Sequence, residues 1–215
     1  YFHEFISKGE NNFINIINLG GFANLTYLSN MRLMAFDTGP ANYLIDLVSK
    51  AYFKKDFDKN GSIAKKGKIN DKALLAMLCD KYFYQEPPKS TGFERFNIKW
   101  IKKFKDKYRM NKNSLIATLT QLTSVSVSDS INTSELDSNI IFFGGGGSKN
   151  LLIKKEILKR TGLTEINSLP WGLDFKNLES SAFAWLAMQR INNKPISKGY
   201  ITGAKKSRSL GIIYR

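Results

Sequence analysis

The residues best suited to chemistry are a carboxylate and a run of glycines, each placed directly after an apolar segment. Asp37 begins a short Asp-Thr-Gly-Pro sequence, and a segment with helical spacing follows it. A carboxylate at the end of a strand can serve as a general acid or base, and it can equally be an aspartate that only caps a turn. The residues by themselves leave both interpretations open.

The glycine run, Gly144 to Gly147, follows the apolar residues 140–143 and precedes a second helical segment. A strand, a glycine turn and a helix start together bring backbone close to a nucleotide, because glycine has no side chain in the way. The run is neither GxGxxG nor a P-loop, so a plain turn is the alternative. The pair Gly20-Gly21 lies between two apolar segments and predicts a hairpin turn.

The elements around these residues predict how the chain positions them. Residues 13–19, 22–28 and 32–36 have strand character, with turns at 20–21, 30–31 and 37–40, so we expect an antiparallel meander. Further elements are expected as helices at 71–82, 94–107, 114–131 and 178–190, and as strands at 140–143 and 164–168. This order predicts an α/β domain whose mixed sheet begins antiparallel and ends parallel, flanked by helices.

Helical spacing also predicts which side chains face the core. Two helices give specific expectations: Leu74, Leu75 and Leu78 in the first, and Phe183, Trp185 and Leu186 in the last. We interpret the second set as core residues rather than as ligand contacts.

The overall composition limits the possible functions. With 215 residues, 42% of them hydrophobic, the chain can form a domain with a real core. No apolar run approaches the roughly 20 residues that span a bilayer, and the single Cys79 fits a reducing compartment. The net charge of +15 makes nucleic-acid binding an alternative, but the lysines are scattered and no nucleic-acid-binding module accompanies them.

Seven short segments of the sequence occur in the same order as matching segments in one known family. They are residues 18–26 (NLGGFANLT), 36–42 (FDTGPAN), 87–94 (PPKSTGFE), 117–120 (ATLT), 143–150 (FGGGGSKN), 179–187 (ESSAFAWLA) and 202–204 (TGA). Together they resemble anhydro-N-acetylmuramic acid kinase, a sugar kinase of the actin-like ATPase superfamily. The resemblance implies an actin-like (ribonuclease H-like) lobe and a cytoplasmic enzyme that uses ATP and Mg²⁺.

The implied reaction acts on 1,6-anhydro-N-acetylmuramic acid during cell-wall recycling. Water opens the anhydro bridge at C1 while ATP phosphorylates O6, which gives N-acetylmuramate 6-phosphate. The aspartate of the family's FDTGP motif falls on Asp37, so the resemblance implies that Asp37 is the general base that activates the water.

The resemblance implies further site residues. The nucleotide-binding set is Gly20, Gly21, Gly144, Gly145, Gly146, Gly147 and Asn150. The sugar-binding set is Asn24, Thr38, Glu179 and His3. The alternatives are a bare hairpin at Gly20-Gly21, a helix-start carboxylate at Glu179 and a surface histidine at His3.

Two departures from the family pattern have structural consequences. The family's turn usually ends Gly-Pro-Gly-Asn, whereas Ala41 stands here, which would cost about 1–2 kcal/mol if that position needs a positive φ. Family members are also longer and begin with a GMSGTSLDG-type phosphate loop, which this sequence lacks. We therefore expect residues 1–215 to form a single C-terminal lobe.

Such a lobe would act with a missing N-terminal lobe, or with a homodimer partner, to complete the site. The resemblance implies a small-molecule substrate and neither a nucleic-acid nor a membrane partner. The alternative function is a non-catalytic remnant that binds nucleotide or sugar.

Overall fold

The computed structural model describes residues 13–28, 33–134, 137–169, 175–197 and 199–214, with residues 175–179 described by their backbone alone. Within these ranges five strands form one sheet in the order β3-β2-β1-β4-β5. The strands are β1 (Ile14–Leu19), β2 (Phe22–Leu28), β3 (Leu33–Pro40), β4 (Ile140–Gly144) and β5 (Thr164–Ile166). Strands β1 to β3 form an antiparallel meander, and β4 and β5 extend it in parallel from β1. The predicted α/β class and mixed sheet are confirmed.

Helices flank this sheet. They are α1 (Asn42–Val48), α2 (Asp71–Leu78), α3 (Ile98–Lys107), α4 (Lys112–Thr133), α5 (Leu151–Thr161), α6 (Phe175–Ile191) and α7 (Gly199–Thr202). Helix α1 continues into a π-helical turn at Ser49–Phe53. None of the helices in the described ranges is both long and apolar enough to cross a bilayer.

Asparagine side chains fix several helix starts. Each accepts a hydrogen bond from a backbone N–H in the first turn, which satisfies a donor that has no partner within the helix. The caps are Asn70 at α2, Asn97 at α3, Asn111 at α4 and Asn150 at α5. The last of these places the start of α5 directly after the glycine run.

The main core lies on one face of the sheet, where α1, α4 and α5 pack against β-strand side chains such as Ile17, Leu25 and Phe143. A smaller cluster, which includes Ile16 and Phe142, occupies the opposite face. Asn15 is buried in the centre of the sheet, and its Nδ2 donates to the carbonyl of Ile140 at 3.2 Å across 125 residues of sequence.

Helix α4 crosses the main core with hydroxyl side chains in many of its buried positions. Thr120 and Ser124 donate to carbonyls one turn earlier in the helix, which satisfies them without a partner elsewhere. The hydroxyl of Thr123 differs, because it also lies 3.2 Å from the carbonyl oxygens of Pro40 and Ala41, to which it can donate. This contact holds the end of β3 against the middle of α4.

The structure corrects several predicted boundaries. Strand β3 continues to Pro40, so Asp37 lies inside a strand and not in a turn. Helix α2 ends at Leu78, because the side chain of Asp80 accepts from Tyr82 N and starts a separate 3₁₀ turn. Helix α3 begins at Ile98 and not at residue 94, because Asn97 caps it there. The predicted turn at 30–31 lies outside the described residues.

Two expectations about side chains were wrong, and the condition for strain at Ala41 is not met. Leu75 is 64% exposed, because the inward positions of α2 are Ala73, Leu74 and Met77. Phe183, expected in the core, is 65% exposed on the outer side of α6. Ala41 has φ −112°, so it does not need the positive φ that would have strained it.

Candidate active site

The turn between β1 and β2 is fastened to the start of α1. The backbone N–H of Ala41 donates to Gly21 O at 2.9 Å. The side chain of Asn42 donates through Nδ2 to the carbonyls of Leu19 at 3.2 Å and Gly20 at 2.9 Å. The predicted hairpin turn is therefore confirmed, and it is held by the asparagine that follows the Asp-Thr-Gly-Pro sequence.

The glycine run lies against the same turn, and two of its positions have no room for a side chain. Gly145 has φ +79°, and a Cβ there would lie 2.5 Å from the carbonyl oxygen of Leu19. A Cβ at Gly147 would lie 2.0 Å from Nδ2 of Asn42. Gly146, in contrast, faces open space. The two glycine segments thus meet backbone to backbone, and the sequence needs glycine at 145 and 147 for that reason.

A cleft of about 660 Å³ lies where these segments meet. Of the residues predicted to bind nucleotide, Gly20, Gly21, Gly146, Gly147 and Asn150 line it. Gly144 and Gly145 lie behind this surface, where Gly144 pairs with Asn18 across the strands.

Sequence reasoning missed the other walls of the cleft. These walls come from the end of β1, from α1, from the loop after α1 and from the segment after the glycine run: Leu19, Asn42, Ile45, Asp46, Phe57, Asp58, Lys59, Asn60 and Lys149. The signal that could have located part of them is the helical spacing of Asn42, Ile45 and Asp46, which puts these residues on one side of α1.

Asp37 lies on β3 and is held through both its side chain and its backbone. Its Oδ2 accepts a hydrogen bond from the backbone N–H of Thr91 at 3.0 Å. Its backbone N–H donates to Lys89 O at 3.2 Å, and Tyr82 Oη donates to its carbonyl at 2.6 Å. Residues 87–92 therefore run beside β3 and partly cover the carboxylate.

The electrostatics of Asp37 suit a base. Partial burial raises the pKa of Asp37, and the hydrogen bond from Thr91 N–H lowers it by a smaller amount. A carboxylate whose pKa is raised takes up a proton more readily than an exposed aspartate.

Residues 87–92 are anchored by a partly buried cluster of Asp80, Arg95, Trp100 and Tyr82. Asp80 accepts from Arg95 Nε at 2.9 Å, from Trp100 Nε1 at 3.1 Å and from Tyr82 N at 3.0 Å. Burial acts to raise the pKa of Asp80, but these hydrogen bonds and the charge of Arg95 together lower it. The segment that covers Asp37 is thus fixed at both of its ends.

A row of polar residues crosses the sheet at the level of Asp37. Asn24 pairs with Asp37 on one side and with Asn18 on the other, and Asn18 pairs with Gly144. Directly paired residues point to the same face, and adjacent strands lie about 4.8 Å apart. The row Asp37–Asn24–Asn18 therefore leads from the carboxylate to the glycine run. Asn18 was not among the predicted site residues, although it comes just before the Gly20 turn.

The remaining predicted site residues are placed differently. Thr38 points to the core face, is 0% exposed and donates from its hydroxyl to Ala23 O at 3.3 Å. Glu179 lies in the first half of α6, but its side chain falls outside the described residues, as does His3. The structure thus brings Asp37 and Asn24 together on one face of the sheet, at the edge where the glycine turns meet.

The fold and site define an α/β protein with two glycine turns and a carboxylate at one edge of a mixed sheet, the edge where open α/β sheets bind ligands. The whole chain, residues 1–215, matches the family model for anhydro-N-acetylmuramic acid kinase. The chain belongs to this family.

Curated relatives named anhydro-N-acetylmuramic acid kinase give the same result. The proteins of Coxiella burnetii (strain Dugway 5J108-111) and Pasteurella multocida (strain Pm70) are 37% and 36% identical over 99% of this chain. The chain spans 58% of the length of each of these two relatives. Among solved structures, the activator of 2-hydroxyisocaproyl-CoA dehydratase from Clostridium difficile has a TM-score of 0.49 at 14% identity, over 92% of this chain and 71% of that one.

Proposed function

We propose that this chain is the nucleotide-binding and base-bearing lobe of an ATP-dependent kinase that acts on 1,6-anhydro-N-acetylmuramic acid. The observation that carries the proposal is the convergence of Asp37 and two glycine turns at one sheet edge in a member of this family. The product would be N-acetylmuramate 6-phosphate, formed by opening the anhydro bridge and phosphorylating O6.

The chemistry requires two bond changes on one sugar ring. Asp37 takes a proton from water, and the hydroxide forms a bond to C1 as the bond from C1 to O6 breaks. The freed O6 attacks the γ-phosphorus of ATP, and the bond to ADP breaks. The proton ends on Asp37, so its raised pKa favours the transfer.

Two parts of the sheet edge divide this work. The cleft lined by Gly20, Gly21 and Gly146 suits the phosphates, because backbone N–H groups can approach an anion there. The polar row ends beside the glycine run and suits the sugar. Asn24 and Asn18 lie between the base and the glycine run, where O6 and the γ-phosphate must meet.

The other sugar contacts are carried over from the family resemblance. We propose Glu179 and His3 as contacts to the sugar. Thr38 is proposed to act from beneath Asp37: its buried hydroxyl joins β3 to Ala23 of β2, which fixes the strand that carries the base.

Magnesium is proposed to enter with the nucleotide. Within the described residues no group of three or more His, Cys, Asp or Glu side chains gathers as a metal site. In proteins Mg²⁺ usually keeps several waters and is held by one or two carboxylates and by substrate phosphates. When bound, it would neutralise charge on the transferring phosphoryl group.

The lobe is proposed to work with a second one. ATP-dependent phosphoryl transfer depends on positioning and on donors around the phosphates, and this chain provides them from one side. The second lobe would be the part of the longer relatives that this chain does not cover.

The test is a reaction of the chain with Mg·ATP and 1,6-anhydro-N-acetylmuramic acid in ¹⁸O-labelled water, read by mass spectrometry. A parallel sample contains the separately expressed part of the Coxiella burnetii relative that this chain does not cover. We expect the 6-phosphate in the combined sample, with ¹⁸O on C1 and none in the phosphate, and none with Asp37→Asn. Label in free phosphate without sugar product would show an ATPase, and no product in any sample would favour a binding module.

A further inference from the structure

Helix α6 carries an apolar face on its exposed side. The exposed positions between residues 183 and 191 recur at helical spacing and are all apolar: Phe183, Ala184, Ala187, Met188 and Ile191. The three large side chains among them, Phe183, Met188 and Ile191, are 65%, 45% and 70% exposed. At 1.5 Å per residue the face extends about 12 Å along the helix.

The inner side of α6 is covered, and it is not the more apolar side. Trp185 and Leu186 are partly buried there, and Gln189 is the buried side chain among the described side chains of this helix. The helix is therefore apolar on both sides, with one side packed on the protein and the other exposed. A helix that is apolar all round is typically buried within a larger structure.

The end of the chain adds to this exposed face. Arg190 Nη1 donates to Ser209 Oγ at 3.2 Å, and a Cβ at Gly211 would lie 3.9 Å from Cγ of Arg190. Residues 209–211 thus lie against the last turn of α6, and they are followed by the exposed side chains of Ile212 and Ile213. We call the apolar face of α6 together with Ile212 and Ile213 the α6 surface. Grouped exposed apolar residues of this kind are typical of an interaction site.

The charge of the chain argues against a second copy as the partner. Two chains of net charge +15 repel each other, and the residues of the α6 surface carry no charge that could offset the repulsion. The partner must therefore be a different polypeptide with an apolar face of its own.

The length of the relatives indicates which polypeptide this is. The chain spans 58% of the Coxiella burnetii and Pasteurella multocida proteins, so each of these relatives has a further part that this chain does not cover. The inference rests on the proposed function to this extent, that the proposed kinase needs a second lobe.

The position of the α6 surface suits such a lobe. Glu179, the proposed sugar contact, precedes Phe183 by four residues, which is about 6 Å along the helix axis. A lobe that packs on Phe183 would lie beside the end of α6 that carries the proposed sugar contact. A reaction with two bond changes on one ring requires a site that is closed from two sides in this way.

We propose that the α6 surface is the docking site for a second kinase lobe, the counterpart of the part of the Coxiella burnetii relative that this chain does not cover. Phe183 and Ile191 are the apolar anchors of this interface. Phe183 then becomes a core residue in the assembled protein, which accounts for a large aromatic ring that helical spacing assigns to a core and that lies exposed in this chain.

The test is a binding titration of the chain with the separately expressed remaining part of the Coxiella burnetii relative. Phe183→Glu and Ile191→Glu should each weaken binding by at least about 30-fold, because each places a charge at an apolar anchor. Leu75→Glu is the matched control, since Leu75 is an equally exposed residue on α2, and it should leave the affinity unchanged. All three positions are exposed, so the urea midpoint of the chain should stay the same in every variant.

The oligomeric state of the chain alone tests the choice of partner. Light scattering at rising protein concentration should report a monomer for wild type and for Phe183→Glu. A wild-type dimer that Phe183→Glu disperses would overturn the proposal and identify a second copy as the partner.

The remaining outcomes separate this proposal from the proposed kinase. Wild type that does not bind the second lobe, or affinity that neither anchor variant changes, would overturn the docking site. If the 6-phosphate still forms in the combined sample and both anchor variants need no more of the second lobe than wild type, the kinase stands and the docking site is refuted. Binding that the anchor variants weaken, with no 6-phosphate from the wild-type complex, would support the docking site and refute the kinase.

Discussion

The glycine-lined cleft and the polar row lie at the same sheet edge but are built in opposite ways. The glycine end of the cleft is made from backbone, and Gly145 and Gly147 pack so closely on Leu19 and Asn42 that a methyl group would collide. The row is made from side chains on regularly paired strands, and any residue that suits a strand could occupy its positions. Substitutions in the first region should therefore act through stability, and those in the second through chemistry.

The largest effect should come from Asp37→Asn. The amide is isosteric and can still accept from Thr91 N–H, so the free energy of unfolding should stay within about 0.5 kcal/mol of wild type. Loss of the base should lower the turnover of the assembled kinase by about 10²- to 10⁴-fold. Sugar kinase assays and denaturant unfolding measure the two quantities, and a variant that unfolds easily would show that the row is structural after all.

The pH dependence of the same reaction sharpens the assignment. A base must be ionised, so activity is full above the pKa of Asp37 and is lost as the pH falls through it. Because burial raises this pKa, the loss should set in at a higher pH than the ordinary value of 3.8 gives. A profile of kcat/KM against pH measures this, and a midpoint below 3.8 would contradict the role of burial.

The next largest effect should come from Gly147→Ala. Its Cβ would meet Asn42 Nδ2 and the carbonyl of Leu19, so the turn or the helix must move, at about 1–3 kcal/mol. Gly146→Ala is the matched control, because open space surrounds its Cβ, and its cost should be below about 1 kcal/mol. Equal costs in urea unfolding would mean that the two glycine segments do not meet as described.

A smaller change should come from Tyr82→Phe, which removes the hydroxyl that donates to Asp37 O at 2.6 Å. The carbonyl loses a buried partner, so the free energy of unfolding should fall by about 1–2 kcal/mol. Activity should fall less than in Asp37→Asn, because the carboxylate keeps its bond from Thr91. Thermal unfolding and kinase assays compare the two variants.

The smallest effect should be a gain in stability from Asp46→Asn. The pKa of Asp46 is raised from 3.8 to about 6, so the folded state binds more protons than the unfolded state in that window. The free energy of unfolding of wild type should therefore fall as the pH rises from 3.8 to about 6, and that of Asp46→Asn should not. At pH 7 the variant should be more stable by about 1 kcal/mol, after allowance for solvent screening at a half-exposed site. Denaturant unfolding at pH 4 and pH 7 would detect this, and a parallel loss in both proteins would contradict it.

The sequence predicted those parts of the fold that local patterns determine. Strands β1 and β2, the Gly20-Gly21 hairpin and the strand–glycine–helix unit around Gly144 to Gly147 all follow from apolar periodicity and glycine. The end of β3 was missed because its pairing with β2 overrides the turn preference of Gly39 and Pro40.

The site was predictable to a similar degree. Asp37 and the glycines stand out by residue type, and the family resemblance supplied their roles. Asn18, Asp46 and Phe57 did not stand out, since their positions depend on cross-strand register and on the loop after α1. These are long-range arrangements that no local pattern encodes.

The pairing of β1 with β4 also has a consequence for synthesis on the ribosome. The meander that carries Asp37 can form early, because its strands are neighbours in sequence. The wall of the cleft cannot, since Asn15 must wait for Ile140, 125 residues later, to close the sheet. Until then one edge of β1 has unpaired backbone groups, so the nascent chain exposes an unpaired strand edge for several seconds, and the cleft forms only after the glycine run has been synthesised.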